Sequence, residues 1–372
     1  MDGNPLLKLA SRGQSVWLDD IHRRILNDGT LARMIEEDGL AGLTSNPAIF
    51  AKAIMHDSEY AAAVAELVAK LSNSLELYEA IVIDDIRRAA DVFRPVWERT
   101  QGADGFASLE VSPHLARDTA GTIAEARRLW GRLERENVLI KVPGTREGIP
   151  AIRTLIGEGI NVNVTLLFSP ERYAAVLEAY LGGLEQRLAR GGDVRRLASV
   201  ASFFLSRIDT LVDRLLDDHA GQGRGEARAI RGRTATALAA RAYDHYREVS
   251  ASARWRELAQ RGARPQRLLW ASTSTKDPRY SDIKYVEDLI AAETINTMPL
   301  ETIAAYRDHG KGAAGLAAFQ EEAPRVLREL AALGIDASDV ARQLEEEGVR
   351  KFAEPFDQLQ QWLSERRNTK RS

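Results

Sequence analysis

The 372-residue chain contains no cysteine. Disulfides, thiolate nucleophiles and cysteine-ligated zinc or iron–sulfur centres are therefore excluded, and the composition fits a reducing compartment. Its six histidines form neither an HxH nor an HExxH pattern, so no metal site is expected. No GxGxxG or P-loop signature is present, which removes the usual phosphate cradles of nucleotide-binding folds. No uncharged apolar run reaches the length of about 18 residues that a bilayer span needs. The opening MDGNPLLKLASRGQ has neither the apolar core nor the cleavage site of a secretory signal. A formal net charge of -3 argues against a nucleic-acid surface while leaving room for a local cationic pocket. The expectation is a soluble, cytoplasmic protein that binds neither membrane nor nucleic acid.

Hydrophobic residues make up 44% of the chain and charged residues 28%, the balance of a folded globular protein. Short apolar runs at 15–19, 41–44, 107–111, 138–142, 161–165, 198–203, 267–271 and 294–298 read as strands. The segments between them repeat apolar residues at helical spacing. In 171–188, Tyr173, Val176, Leu177, Tyr180, Leu181, Leu184 and Leu188 recur on one face, with Ser169 as N-cap and Pro170 in the first turn. Strands separated by helices imply parallel pairing through crossovers. Eight such units predict an α/β fold of the closed (β/α)8, or TIM-barrel, type. A doubly wound open sheet is the alternative, without a nucleotide motif to support it.

Two helical insertions are expected, one over about 47–104 after the second strand and one over 223–262 before the seventh. A helical tail over about 315–366 follows the eighth strand. There Gly334 reads as a C-cap, Asp336 opens a new helix, and Val349, Phe352, Phe356, Leu359 and Leu363 form an apolar stripe. Whether that stripe is covered leaves monomer and homodimer both open. With no internal repeat or low-complexity linker, residues 1–372 read as a single barrel domain. The basic end RRNTKRS reads as a frayed, solvated terminus rather than an interaction tail.

A barrel strand points alternate residues outward to the helices and inward to the axis. In 138–142 the β-branched Val138, Ile140 and Val142 suit the outer side, which turns Leu139 and Lys141 inward. In 161–165 the valines face out and Asn161, Asn163 and Thr165 face in. Ser108 and Glu110 share one parity, and Asp19 opposes Val16 and Leu18. Polar and charged residues thus collect near the C-terminal ends of four strands, where barrel enzymes keep their active sites. For Lys141 alone, a snorkelling side chain or an ion pair with Glu110 or Asp19 would also serve. The reading that the spacing favours over these is a desolvated amine that attacks a ketone. For Glu110 or Asp19 singly, a structural acid is as good a reading as a catalytic one. His114 follows the Glu110 strand and reads as a loop histidine without a role.

These residues sit in motifs that resemble the transaldolase family. SVWLDD (15–20), LTSNPAIF (43–50), SLEVSP (108–113), VLIKVPGT (138–145), INVNVTLLFS (160–169) and SFFLSRID (202–209) follow its pattern in order. LLWASTSTKDPRYSD (268–282) and TINTMP (294–299) look like the longer bacterial form. The resemblance covers nearly the whole chain. It implies that Lys141 is the Schiff-base lysine and that Asp19 is the general acid–base. It implies that Glu110 and Thr165 hold a catalytic water, and that Asn46, Asn163 and Ser202 hold the hydroxyls of a dihydroxyacetone unit. Arg207 and Ser274 match phosphate-binding positions. Two residues beyond that serine the family often has arginine, and this chain has Lys276, which keeps the charge but loses the bidentate fork.

The activity implied is transfer of a dihydroxyacetone unit between small sugar phosphates in the non-oxidative pentose phosphate pathway. No metal or organic cofactor is implied. A fructose-6-phosphate aldolase of the same superfamily is the nearest rival. Those relatives are shorter, lack the insertions, and carry glutamine where Glu110 stands. A non-catalytic sugar-phosphate-binding barrel would be expected to lack the lysine or the acids, all of which are present.

Overall fold

The computed structural model describes residues 3–221, 225–312 and 315–371. Its strands are β1 (Gln14–Leu18), β2 (Leu40–Leu43), β3 (Phe106–Glu110), β4 (Val138–Pro143), β5 (Val162–Leu167), β6 (Ser199–Phe204), β7 (Arg267–Ala271) and β8 (Thr294–Met298). Each pairs in parallel with the next, and β8 pairs with β1 to close the barrel. All eight expected strands are present, two of them with the expected bounds and the others with ends moved by no more than two residues. The largest difference is β5, which runs on to Leu167 through an irregularity after Val164, where Leu166 takes a φ of 61°. No sequence period announces a bulge of that kind.

Side-chain polarity sorts the two ends of the barrel. At the N-terminal end, Asn161 donates to the Glu136 and Val138 carbonyls and accepts from the Ala198 amide, tying β4, β5 and β6 together. It therefore closes the bottom and does not join the cluster above. Nearby, Asp104 accepts from Ser15 and Trp17 and pairs with Arg267. Trp17 packs so closely on β2 that a Cβ at Gly42 would stand 2.4 Å from its ring, so only glycine fits there.

The first insertion consists of helices Pro47–His56, Ala61–Lys70 and Ser74–Arg99. The second contains a short 3-10 turn, Gly225–Ile230, and helices Thr234–Ser250 and Ala253–Gln260. The tail includes Ala323–Ala332 and a long last helix, Ala337–Arg371. Phe352, Phe356, Leu359 and Leu363 are buried and Val349 partly so, against Pro47–His56 and Ser74–Arg99. Phe356 meets Tyr78 edge to face at 5.3 Å. The stripe is thus covered from within the chain. The basic end, expected to fray, continues the helix through Arg371, and Arg367 donates to the Ser72 carbonyl. Among the described residues no helix is long and apolar enough to cross a membrane.

Candidate active site

The C-terminal strand ends and the loops beyond them surround a cleft of about 1030 Å³, at the upper end of the usual range for small-molecule sites. Lys141, the fourth of the six residues of β4, is 4% exposed. Its Nζ donates to the Ser45 carbonyl at 3.0 Å and stands 3.3 Å from Glu110 Oε2. Glu110 is its register partner on β3, so strand pairing alone brings acid and amine together. The contact is close enough for an ion pair but not aligned as a hydrogen bond, and Glu110 Oε2 is buried without a hydrogen-bond partner. Thr165 Oγ1 on β5 is buried and unpartnered as well. A buried polar atom left unpaired is costly, which marks both as sites for a polar ligand atom or water.

Asp19 follows β1, its backbone amide bonded to Met298 on β8. The Thr44 hydroxyl donates to its carboxylate at 2.7 Å and lies 2.8 Å from the Thr297 hydroxyl. Burial raises the pKa of both Asp19 and Glu110, with the Lys141 charge as the main opposing influence. Two carboxyls that hold protons more readily than usual, beside one amine, suit proton transfer.

Beneath them runs a polar chain. Ser202 on β6 donates to Asn163 Oδ1 on β5 at 2.7 Å, and Asn163 Nδ2 donates to Ser108 Oγ on β3 at 3.1 Å. Strand β4 separates β3 from β5, so these side chains meet on the inner face of the barrel. Asn46 caps the Pro47–His56 helix through its side-chain oxygen, accepting from the Ile49 amide at 3.0 Å. Its amide nitrogen has no protein partner among the described residues.

The opposite side of the cleft is cationic. Arg207 lies in the first turn of the Ser206–Gly221 helix, its guanidinium 5.1 Å from the Phe204 ring and 5.6 Å from the Phe352 ring. It makes no ion pair among the described residues, and Nη1 is buried without a partner. Burial lowers its pKa, against the charges of Asp19 and Glu110. Ser274 and Lys276 line the same cleft, with Lys276 Nζ donating to Ser274 Oγ at 2.6 Å. Their loop is tied to the Arg207 helix: Ser272 lies 2.8 Å from Ser206, and Tyr280 donates to Asp213 at 2.7 Å. Arg231 adds a clamp on Asp277 at 2.8 Å.

Of the ten residues singled out from the sequence, Asp19, Asn46, Lys141, Ser202, Arg207, Ser274 and Lys276 border the cleft. Glu110, Asn163 and Thr165 lie in the buried layer behind it. His114 stays outside, exposed and bonded to Asp357. Sequence reasoning missed Thr44, the Ser45 carbonyl, Phe204 and Phe352. The first two precede Asn46 directly, Thr44 as the last residue of the expected second strand, and neither breaks the strand's pattern in a way that would single it out. Phe352 belongs to the apolar stripe of the tail, a pattern that signals packing alone.

A closed parallel barrel that brings a buried amine, a carboxyl and an arginine to one cleft, with a second carboxyl beside the amine in the layer behind, defines a class. It is that of barrel enzymes acting on carbonyl compounds with an anionic end, through a lysine. The comparisons narrow the class. The family model described as "Transaldolase/Fructose-6-phosphate aldolase" matches residues 16–363, and the chain belongs to that family. It is 50% identical over 347 residues to a transaldolase of Thiobacillus denitrificans, covering 93% of this chain and 96% of the relative. It is 49% identical to a transaldolase of Thermobifida fusca, covering 96% of each chain. With one of Trichodesmium erythraeum it shares 45% identity over 98% of this chain and 97% of the relative.

Proposed function

We propose that this chain transfers a dihydroxyacetone unit from a ketose phosphate to an aldose phosphate through a Schiff base on Lys141. The donor is sedoheptulose 7-phosphate or fructose 6-phosphate, and the acceptor is glyceraldehyde 3-phosphate or erythrose 4-phosphate. The observation that carries the reading is the amine of Lys141 at 3.3 Å from a Glu110 oxygen that has no other partner. Lys141 attacks the ketone carbon. A water between Glu110 and Thr165 relays protons as the carbinolamine loses hydroxide and becomes an iminium. Asp19 takes the proton of the C4 hydroxyl, the C3–C4 bond breaks, and its electrons move into the iminium to give an enamine. Asn46, Asn163 and Ser202 hold the three-carbon unit until an acceptor aldehyde arrives. Arg207, Ser274 and Lys276 hold the phosphate, Arg207 by charge-assisted bonds and Lys276 as a point charge.

Glu110, in place of glutamine, and the long insertions favour transfer over release of free dihydroxyacetone. Binding without catalysis would leave the buried acid–amine pair without a purpose. The chain acts as one domain, in the cytoplasm, and without nucleic-acid partners. The covered apolar stripe favours a monomer over a dimer built on that stripe. The test is borohydride treatment in the presence of fructose 6-phosphate, followed by intact mass and peptide mapping. An adduct on Lys141 is expected, and an adduct on any other lysine would overturn the assignment. Aldehyde release without acceptor, at the rate seen with acceptor, would make the enzyme an aldolase instead.

A further inference from the structure

The last helix, Ala337–Arg371, supplies one wall of the cleft through Leu344, Glu347, Lys351 and Phe352, a single face at three- and four-residue spacing. Phe352 is 3% exposed, and its ring centroid lies 5.7 Å from Lys141 Nζ as well as near Arg207. One turn earlier, Gly348 permits the approach. A Cβ there would stand 2.8 Å from Leu166 Cδ2 and 3.7 Å from Arg207 Nη1. Leu166 is the left-handed residue in the β5 irregularity, directly after Thr165. The bulge, the missing side chain at 348 and the ring at 352 therefore fit together as one packed unit above the amine. A phenyl ring neither exchanges protons nor bonds a hydroxyl. What it contributes beside a reacting amine is the exclusion of water and a face that tolerates positive charge.

We infer that Phe352 is a shielding residue that keeps solvent from the three-carbon enamine on Lys141, and so favours transfer to an aldose over release of free dihydroxyacetone. This rests on the Schiff-base reading above. Both outcomes start from the same enamine. In transfer, its nucleophilic carbon forms a bond to the aldehyde carbon, whose oxygen takes a proton from Asp19. In release, the same carbon takes a proton instead, giving an iminium. Water then adds to the iminium carbon, the C–N bond breaks, and Lys141 regains its amine as dihydroxyacetone leaves. The water at Glu110 serves both routes. Phe352 stands on the cleft side, where bulk solvent would otherwise reach the carbon that accepts either a proton or an aldehyde.

The test compares the parent enzyme with Phe352→Ala and Phe352→Val, supplied with fructose 6-phosphate and erythrose 4-phosphate. Free dihydroxyacetone and the seven-carbon transfer product are both quantified. The release-to-transfer ratio should rise roughly tenfold in Phe352→Ala, a change of about 1.4 kcal/mol between the two barriers, with Phe352→Val in between. The ratio counts only turnovers of folded enzyme, so a loss of total activity does not disturb it. If the alanine variant fails to fold, the valine variant carries the same comparison. A purely structural role would lower stability and total rate while leaving the ratio at its parent value, and that result would overturn the inference. Borohydride trapping of the parent separates the levels. No adduct on Lys141 sinks the Schiff-base reading and this inference together, whereas an adduct with an unchanged ratio sinks the inference alone.

Discussion

Asp19 and Glu110 flank one amine, and each has two possible relations to it. Either could neutralise a protonated Lys141, or each could move protons during the reaction. Asp19→Asn distinguishes them for the first acid. If Asp19 serves C3–C4 cleavage, the variant still forms an adduct with fructose 6-phosphate, but the bond does not break. Trapped enzyme should then carry the heavier six-carbon phosphate adduct. Finding chiefly the three-carbon adduct would remove Asp19 from the mechanism. For the second acid, Glu110→Gln keeps the shape and can still hold a water, but cannot exchange a proton with it. Transfer should slow by roughly 10²–10⁴-fold with substrate binding nearly kept, as for loss of a general acid–base. Unchanged turnover at saturating substrate would make Glu110 a structural acid.

At this scale the sequence was informative because strands have period two. Lys141 and Glu110 interrupt apolar strands at inward positions, so their convergence followed from parity and register. Thr44 and Phe352 had no comparable signal. Threonine is ordinary at a strand end, and a phenylalanine in an amphipathic stripe announces burial without saying against what. The partner of Phe352 is Lys141, more than half the chain away, and no local pattern carries that pairing.

Among the elements, the Ser206–Gly221 helix does most to define the phosphate side. It presents Arg207 in its first turn, while Asp209 and Asp213 accept hydrogen bonds from Tyr285 and Tyr280. Tyr280 closes the segment that begins at Ser272 and includes Ser274 and Lys276, so one helix sets all three candidate phosphate ligands. Tyr280→Phe removes one hydrogen bond to a carboxylate, of the kind that contributes roughly 1.5–3 kcal/mol. KM for phosphorylated ketoses should rise severalfold with kcat nearly unchanged. Equal changes in KM for phosphorylated and unphosphorylated ketoses would show that the bond does not position the phosphate ligands. The insertions and tail were legible as helices with apolar faces, and their placement was not, since helical periodicity names a buried face but no partner.

For the molecule as a whole, pH enters through Asp209, buried in the Ser206–Gly221 helix. Burial pushes its carboxyl up to about 6, opposed mainly by Lys284 at 3.9 Å. Because the folded state holds this proton more tightly than the unfolded chain does, unfolding between about pH 4 and about pH 6 releases it. The group's contribution to stability is present at the acid end and is lost as pH rises through about 6, by about 3 kcal/mol in all. Asp209→Asn keeps the shape without the titration. Against the parent, the variant should therefore gain stability on going from about pH 4 to about pH 7, read by urea unfolding. A difference between the two proteins that stays constant across that range would show that Asp209 does not titrate there.

The barrel closes when β8 meets β1, yet one wall of its cleft comes from the helix after it, Ala337–Arg371. Synthesis runs from the N-terminus, and folding can begin while the ribosome still holds the chain's end. A nascent chain with all eight strands emerged would present the amine, both acids and Arg207 in an open bowl. That bowl becomes a sheltered chamber only when the Ala337–Arg371 helix has followed the eighth strand out of the exit tunnel and docked across it, so the lysine is open to solvent before that moment and shielded after it.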